Sequence, residues 1–305
     1  MLVCARRMHA DEVGIDLSLV RRLLSAQFPQ WADVPLKPVL SAGGHNAVYR
    51  LGDAMAVRLP RTKRATLQVD KEHRWLPRLA PHLPLPIPVP VAKGRPGEGY
   101  PWKWSVFPWL DGEPVTGEPI ADLRQAATDL ARFVTALQRI DPAGGPAPGE
   151  HNFGRGEPLA RRDSRTREAI QALGGLDTKA VTSAWDAALE APEWQGPPVW
   201  IHGDLLPGNL LAIKGRLTAV IDFGGLGVSD PACDLMVAWT LFSGESRDVF
   251  RAALSVDDAT WARGRGWALF WALISIPNYV NTNPAGVRYA WQTIDEILRH
   301  NAAGL

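Results

Sequence analysis

The apolar residues of this chain change their periodicity once, and that change limits the fold to a few classes. Toward the N-terminus they form short runs of strand length, such as Met55 to Leu59 and Trp102 to Leu110, separated by Gly and Pro. Further on they recur every three to four positions, as from Ala121 to Ile140. A strand-rich first part followed by a helix-rich remainder predicts an α+β arrangement of two lobes, residues 1–108 and 109–305.

The elements of the first lobe are those of a small, mainly antiparallel sheet with helices. Asp16 is placed to cap the N-terminal helix, since its carboxylate can accept from a free backbone N–H. Prolines at 84, 86, 88 and 90 exclude a helix from the stretch that contains them. In chain order we predict a helix from Asp16 to Phe28, two strands within Val39 to Leu51, a strand from Met55 to Leu59, a helix from Ala65 that stops near Pro77, an extended connector from Leu83 to Val91, a turn from Lys93 to Gly99 and a strand from Trp102 to Leu110.

The second lobe is predicted to be mostly helical. Besides the helix from Ala121 to Ile140, the periodicity favours helices at 160–172, 179–190, 232–242, 246–254, 258–280 and 285–300. No internal repeat interrupts this pattern, so the chain is not a solenoid or another repeat protein.

Composition excludes several classes of protein. Hydrophobic residues make up 46% of the 305 residues, which is ample for a packed core. The formal net charge is +1 with acids and bases interspersed, so we expect no nucleic acid and no membrane as partner. Cys4 and Cys233 do not have the spacing of metal ligands, and reduced thiols are the default. We expect a cytoplasmic monomer or weak dimer whose native start is Met1 or Met8.

The most informative segment runs from His202 to Asn209 and is followed by Ile221 to Gly224, at the spacing of a kinase catalytic loop and its metal-binding aspartate. Phosphoryl transfer needs one carboxylate to orient the attacking hydroxyl and oxygen ligands to hold Mg²⁺ against the phosphates. We assign Asp204 to the first role, and Asn209 and Asp222 to the second. The competing interpretation is an incidental turn rich in Asn and Gly, which leaves the joint presence of three oxygen-bearing residues unexplained.

These residues resemble those of the aminoglycoside phosphotransferase family, the small-molecule branch of the protein-kinase-like fold. The family has His-Gly-Asp where protein kinases usually have His-Arg-Asp, and Ser229 to Leu235 resembles its Asp-Pro-x-x-Asp-Leu segment. The resemblance covers residues 35–300. Many relatives carry His at the position of Leu206, so we expect the loop to pack differently here while the chemistry is kept. The resemblance implies a bilobal fold, Mg²⁺ as cofactor and ATP or GTP as co-substrate.

The phosphate-binding residues are expected near the start of the first lobe. Gly43, Gly44 and Asn46 lie between two predicted strands, where backbone amides can approach phosphate oxygens closely because no Cβ intervenes. By resemblance, Arg58 stands where protein kinases have a lysine that contacts the phosphates, and Glu72 on the next helix is its expected ion-pair partner. A plain hairpin and exposed helix charges are the competing interpretations.

The adenine-binding segment is also assigned by resemblance. Ser105 to Gly112 resembles the hinge between the lobes, which places Phe107 at the adenine pocket. The same register assigns the purine hydrogen bonds to the carbonyl of Pro108 and the amide of Leu110. Proline suits position 108 because only its carbonyl is needed there.

The acceptor is less well determined by the sequence. Aminoglycosides are polycations, and acceptor sites in the family are lined with carboxylates. Trp267, Trp271 or Tyr279 would instead contact a neutral acceptor. Arginines are frequent in the second lobe. The polycation hypothesis draws on the acids in the same region: Glu150, Glu157, Asp163, Glu245, Asp248, Asp295 and Glu296.

The sequence therefore predicts a kinase that phosphorylates a hydroxyl of a small molecule, with an aminoglycoside or related antibiotic as the leading acceptor. A kinase of a neutral metabolite or macrolide, and an inactive nucleotide-binding scaffold, are the alternatives. A protein kinase is disfavoured, because the stretch from Gly224 to Asp234 is too short for a peptide-docking activation segment.

Overall fold

The computed structural model describes residues 13–39, 45–117, 119–280 and 283–302. For residues 301 and 302 it describes the backbone alone. These residues divide into two compact units. The first unit contains the described residues up to Pro81 together with Ile87–Leu110. The second unit contains His82–Pro86 and the described residues from Asp111 onward. No helix in the described ranges is long and apolar enough to cross a membrane.

The first unit is a five-stranded antiparallel sheet with two α-helices. Its elements are α1 (Leu17–Gln27), β1 (Leu36–Val39), β2 (Asn46–Leu51), β3 (Met55–Pro60), α2 (Thr66–Leu79), β4 (Ala92–Gly94) and β5 (Trp104–Pro108). The strand order is β1-β2-β3-β5-β4, and all pairs are antiparallel. Pro38 fits β1 because that strand lies at the edge of the sheet, where a missing N–H costs no internal hydrogen bond.

Helix α1 covers one region of the sheet and forms a shared core with it. The predicted cap is present, as the Asp16 carboxylate accepts from the Leu19 N–H at 2.7 Å. Leu23 and Leu24 are fully buried in one cluster with Leu51 and Trp104. The predicted helix and the strand from Met55 are thereby confirmed.

Three predictions for the first unit are wrong in detail. The first of the two strands predicted within Val39 to Leu51 lies earlier, at Leu36–Val39. Helix α2 does not stop near Pro77 but continues to Leu79. Proline there removes a single hydrogen bond close to the helix end, while Leu76 and Leu79 gain full burial. The predicted turn from Lys93 begins instead as strand β4, which pairs with β5.

The second unit is mostly helical, as predicted. Its elements are β6 (Glu113–Pro114), α3 (Leu123–Gln138), α4 (Asp163–Ala172), α5 (Thr178–Glu190), β7 (Val199–Ile201), β8 (Leu210–Ile213), β9 (Arg216–Val220), β10 (Gly227–Ser229), α6 (Val237–Thr240), α7 (Gly244–Leu254), α8 (Asp258–Tyr279) and α9 (Pro284–Ala302).

Two small sheets position the loops of the second unit. β7 pairs with β10, and β8 pairs with both β6 and β9, in each case antiparallel. Strand β7 ends just before the segment that starts at His202, and β9 ends just before Ile221. The predicted helix over 232–242 is instead a 3₁₀ segment, Pro231–Met236, followed by the single turn of α6. That tighter segment carries the buried Asp234 toward the loop after β7.

Candidate active site

The loop between β7 and β8 holds Asp204 and Asn209 against each other. The Asn209 amide nitrogen donates to the Asp204 backbone carbonyl at 2.8 Å and to Oδ2 of its carboxylate at 3.1 Å. Because the amide NH₂ is used in this way, the Asn209 side-chain oxygen points away from Asp204 and is available as a ligand. The side chain of Asp204 remains 28% exposed, so a substrate hydroxyl has access to it.

Buried groups fix the backbone of this loop. The Asp234 carboxylate is fully buried and accepts from the N–H groups of His202 and Gly203, both at 2.7 Å. Burial raises the pKa of Asp234, while the nearby His202 and the two backbone donors oppose that rise. The His202 ring accepts from the Asp204 N–H at Nδ1, which leaves Nε2 to donate to the Ile221 carbonyl at 3.1 Å. The loop thus presents Asp204 in one orientation.

Asp222 is joined to the same loop through the backbone. The Ile221 N–H donates to the Asn209 carbonyl at 2.9 Å, so the residue before Asp222 is tied to Asn209. Asp222 has a left-handed backbone with φ of 61°, a conformation that is uncommon for a residue with a side chain. Its carboxylate is exposed. Such local strain is typical of functional positions.

The donor set suits Mg²⁺. Within the described ranges, no group of three or more His, Cys, Asp or Glu side chains is arranged to hold a metal ion. Mg²⁺ in nucleotide sites is commonly held by one or two carboxylates together with substrate phosphates and water. The Asn209 oxygen and the exposed Asp222 carboxylate fit that requirement, and their role as ligands stays a prediction.

One residue at this site, Arg155, was not predicted from the sequence. Its guanidinium Nη2 donates to Asp204 Oδ1 at 2.8 Å, and its side chain is only 13% exposed. Both carboxylate oxygens of Asp204 are therefore engaged, one by Asn209 and one by Arg155. The pairing joins residues 49 positions apart. The only signal in the sequence was the glycine-flanked loop that contains Arg155.

Tyr279, at the end of α8, lies in the electrostatic field of this site. Burial raises the pKa of its hydroxyl, and the charges of Asp204 and Asp222 raise it further, whereas Arg155 acts in the opposite direction. Among the described residues, the Tyr279 hydroxyl has no hydrogen-bond partner. It is therefore a candidate for contacting the acceptor.

In the first unit the predicted ion pair between Arg58 and Glu72 is present. The Glu72 side chain is fully buried, and the Arg58 guanidinium also lies over the Phe107 ring, 4.8 Å from its centroid. Arg58 is held on β3, between Val48 of β2 and Ser105 of β5. The contact of Arg58 with nucleotide phosphates stays a prediction.

The direction of the Pro108 carbonyl, at the end of β5, follows from the hydrogen bond made by the next residue. The Trp109 N–H donates to the Ala54 carbonyl at 2.7 Å. In a trans peptide the C=O and N–H point in opposite directions, so the Pro108 carbonyl points away from β3. β4 starts opposite Val106 and therefore does not pair with Pro108. That the Pro108 carbonyl and the Leu110 N–H bind the purine stays a prediction.

The glycines of the expected phosphate loop, Gly43 and Gly44, lie outside the described residues. Asn46 is the first residue of β2, is half-buried and pairs with Pro60. Its contact with phosphate stays a prediction.

The acids suggested as acceptor ligands are largely engaged by arginines. Glu157 pairs with Arg162 at 2.7 Å, and Asp163 pairs with Arg167 at 2.8 Å. Glu245 and Glu296 also have arginine partners, Arg124 and Arg247 respectively. Trp267 is buried and packs edge-on against Phe270, which makes it a core residue rather than an open stacking surface.

The chain is similar to known proteins in sequence and in fold. The model of the APH phosphotransferase enzyme family matches residues 38–267. Homoserine kinase of Granulibacter bethesdensis is 28% identical over 190 residues, which cover 56% of this chain and 54% of that protein. The chain thus matches about half the length of this curated relative.

Solved structures give the fold. The GDP and kanamycin complex of APH(2″)-IIIa superposes with a TM-score of 0.70 at 19% identity, covering 94% of this chain and 99% of that chain. The macrolide 2′-phosphotransferase MphH from Brachybacterium faecium superposes with a TM-score of 0.59 at 20% identity, covering 92% and 98%. The predicted α+β, bilobal, protein-kinase-like fold is confirmed. Since the family model matches well over half of its length, the chain belongs to the APH phosphotransferase enzyme family.

Proposed function

We propose that this protein is a nucleotide-dependent O-phosphotransferase, which moves the γ-phosphoryl group of ATP or GTP to a hydroxyl of a small molecule. The observation that carries the proposal is the connected arrangement of Asp204, Asn209 and the backbone preceding Asp222. The family membership and the GDP and ADP complexes of similar structures support a nucleotide co-substrate. We also propose residues 1–108 as the nucleotide-binding lobe and 109–305 as the catalytic and acceptor-binding lobe.

Each residue has a role in this proposal. Asp204 orients the acceptor hydroxyl and accepts its proton, since its carboxylate is both exposed and fixed. Asn209 and Asp222 hold Mg²⁺, which supplies positive charge at the phosphates when bound. Arg58, aligned by Glu72, contacts the nucleotide phosphates with Gly43, Gly44 and Asn46. The Pro108 carbonyl and the Leu110 amide bind the purine beside Phe107.

The acceptor class has two candidates. The sequence-based hypothesis is an aminoglycoside, and kanamycin and gentamicin in complexes of similar structures support it. The pairing of Glu157, Asp163 and Glu296 with arginines favours a second candidate, a neutral or weakly charged hydroxyl compound, because these acids no longer offer uncompensated negative charge. The similarity to homoserine kinase and to macrolide phosphotransferases supports that candidate.

A coupled nucleotide-turnover assay with Mg²⁺ against antibiotics and metabolites tests the proposal. We expect turnover that depends on one acceptor class. Nucleotide binding without turnover on any acceptor would support the scaffold alternative, and absence of both would contradict a kinase.

Salt dependence separates the two acceptor classes in a thermal-shift screen. A polycation held by rim carboxylates should lose much of its stabilising effect at high salt, because such charges are screened over about 8–10 Å at physiological ionic strength. A neutral acceptor should raise the melting temperature equally at both salt concentrations. A response to aminoglycosides that disappears at high salt would reject the neutral-acceptor candidate.

A further inference from the structure

The guanidinium of Arg155 stands beside the carboxylate to which the acceptor hydroxyl is assigned. Among the residues that the structure describes, its Nη2 alone is used, in the bond to Asp204 Oδ1. Among the described residues, Nε and Nη1 of Arg155 have no hydrogen-bond partner, so two donor positions of the fork remain for a ligand. Any hydroxyl bonded to Asp204 lies within about 3 Å of that carboxylate, and the phosphorus that it attacks lies about 3–3.5 Å further. The guanidinium can therefore reach the oxygens of the transferring group.

The loop that carries Arg155 is built rigidly. Asn152 is fully buried, and its side-chain oxygen accepts from the N–H groups of Gly149 and Gly154 at 2.9 and 3.1 Å. Its amide nitrogen donates to the Arg155 carbonyl at 3.1 Å and to the Gly225 carbonyl at 3.4 Å. One buried amide thus ties the Arg155 loop to the segment that follows Asp222.

The approach of this loop to the catalytic segment depends on glycine. Gly203 has φ of +80°, and a Cβ there would lie 2.2 Å from the Gly225 carbonyl oxygen and 3.1 Å from the Arg155 Cβ. Ser229 of β10 also donates to the Gly156 carbonyl at 2.7 Å. Because three segments converge in this way, the position of Arg155 is specified by the fold and is not a chance contact of a surface side chain.

The neighbouring position in the catalytic loop supplies no charge. Leu206 is apolar and buried. Positive charge next to Asp204 comes instead from Arg155, on a different segment of the second unit.

We propose that Arg155 is a further catalytic residue of this phosphotransferase, one that bonds to the transferring phosphoryl group while it remains next to Asp204. The inference rests on the proposed function. In the step, the bond between the γ-phosphorus and the bridging oxygen breaks, and its electron pair leaves with the nucleoside diphosphate. A bond from the acceptor oxygen to phosphorus forms, and the acceptor proton passes to Asp204. Arg155 stays protonated throughout.

The positive charge of Arg155 stabilises the phosphoryl group more strongly as this step proceeds. Before transfer, the guanidinium neutralises the Asp204 carboxylate. As Asp204 takes the proton its negative charge disappears, while negative charge on the phosphoryl oxygens and the leaving group has to be compensated. The interaction of Arg155 therefore shifts from carboxylate to phosphoryl group, and an interaction that strengthens in the transition state accelerates the reaction.

The test uses the full chain and a thermal shift with Mg²⁺ and ADP or GDP, with and without aluminium fluoride, which mimics the planar phosphoryl group. Wild type should gain a first increment in melting temperature from Mg²⁺ and nucleotide and a second from aluminium fluoride. Arg155→Met should keep the increment from Mg²⁺ and nucleotide and lose most of the increment from aluminium fluoride. Arg155→Lys should restore part of the second, because the charge returns without the fork. Arg161→Met, at an exposed neighbouring arginine, should match wild type in both.

The outcomes separate the two proposals. Absence of the first increment in wild type would contradict the proposed function itself. The increment from nucleotide could be normal while the increment from aluminium fluoride is missing in wild type, or is equal in wild type and Arg155→Met. That result would overturn the role of Arg155 and leave the kinase proposal intact. Once an acceptor is known, Arg155→Met should lower kcat on the order of 10²–10³-fold with little change in the nucleotide KM. A purely structural ion pair would lower the melting temperature of the free protein and leave the second increment in place.

Discussion

The two units hold their charged functional residues in opposite ways. In the first unit, the fully buried Glu72 is compensated by Arg58, and its Oε1 has no hydrogen-bond partner among the described residues. In the second unit, Asp204 is partly exposed and has both Arg155 and Asn209 as partners. Its loop is further held by backbone hydrogen bonds to Asp234. The first arrangement is centred on one buried ion pair, and the second is distributed over several segments.

This difference has an energetic consequence. Removing one member of a buried pair leaves an uncompensated charge, and that costs more than the pair contributes. In a network of several hydrogen bonds to a partly solvated carboxylate, the loss of one interaction is offset by the others and by water. We therefore expect substitutions in the first unit to act on stability, and those around Asp204 to act on turnover.

The largest effect is expected for Arg58→Met. It leaves the Glu72 carboxylate buried without its cation, which should lower the free energy of unfolding by about 3–5 kcal/mol. The urea midpoint measures this loss. In Arg58→Met/Glu72→Leu most of the stability should return, since no buried charge remains. Lys93→Met, which breaks an exposed pair with Asp70, is the control and should cost less than about 1 kcal/mol.

Strict additivity of the Arg58 and Glu72 substitutions would show that the two residues do not act as a unit. In that case the contrast between the two units would lose its basis.

Asp204→Asn should act on catalysis instead. The amide keeps the volume of the carboxylate but cannot accept the acceptor proton, so turnover should fall on the order of 10²-fold or more. The urea midpoint and the binding of nucleotide should change little, because the loop keeps its backbone bonds to Asp234. Single-turnover and binding measurements on the same preparation check both parts. Turnover close to wild type in a folded Asp204→Asn variant would remove Asp204 from the mechanism.

Asp234→Asn tests how the catalytic loop is held. An amide offers one oxygen to the two N–H groups of His202 and Gly203 and turns its NH₂ toward the second donor. Leaving one buried donor unsatisfied should cost about 1–3 kcal/mol of stability, with a fall in turnover as the loop loosens. A variant with unchanged stability would mean that the loop is positioned by its other contacts.

The sequence predicted those elements whose cause is local. Helix α1 follows from the apolar spacing and the Asp16 cap, and α3 follows from one clear amphipathic face. The spacing of Asp204, Asn209 and Asp222 was visible because all three lie within one short stretch. The Arg58–Glu72 pair lies on two adjacent elements and was predicted from the resemblance to the kinase family.

The sequence did not predict features whose cause lies far along the chain. Strand β6 is two residues long, and it exists because β8, far along the chain, provides its hydrogen-bond partners. Strand β4 is three residues long and pairs with the next strand, β5. Periodicity cannot detect elements of that length. Arg155 was overlooked for the same reason, since its partner is 49 residues away and its position depends on the buried amide of Asn152.

The last expected effect concerns pH and the first unit alone. Burial lowers the pKa of His73 from 6.5 to about 4, and the neighbouring charges of Lys93 and Arg58 act in the same direction, whereas Asp70 opposes them. Between these two values the unfolded chain binds more protons at His73 than the folded one, so stability falls as pH decreases through that window and is unaffected by His73 above it. His73→Gln keeps a polar group next to Ser105, which contacts the ring at 3.1 Å, and removes the titration. Urea midpoints measured from about pH 7 to pH 4 should therefore decline less steeply in His73→Gln than in wild type, with His82→Gln at an exposed position as the control. Parallel curves for wild type and His73→Gln would show that the imidazole is protonated equally in both states.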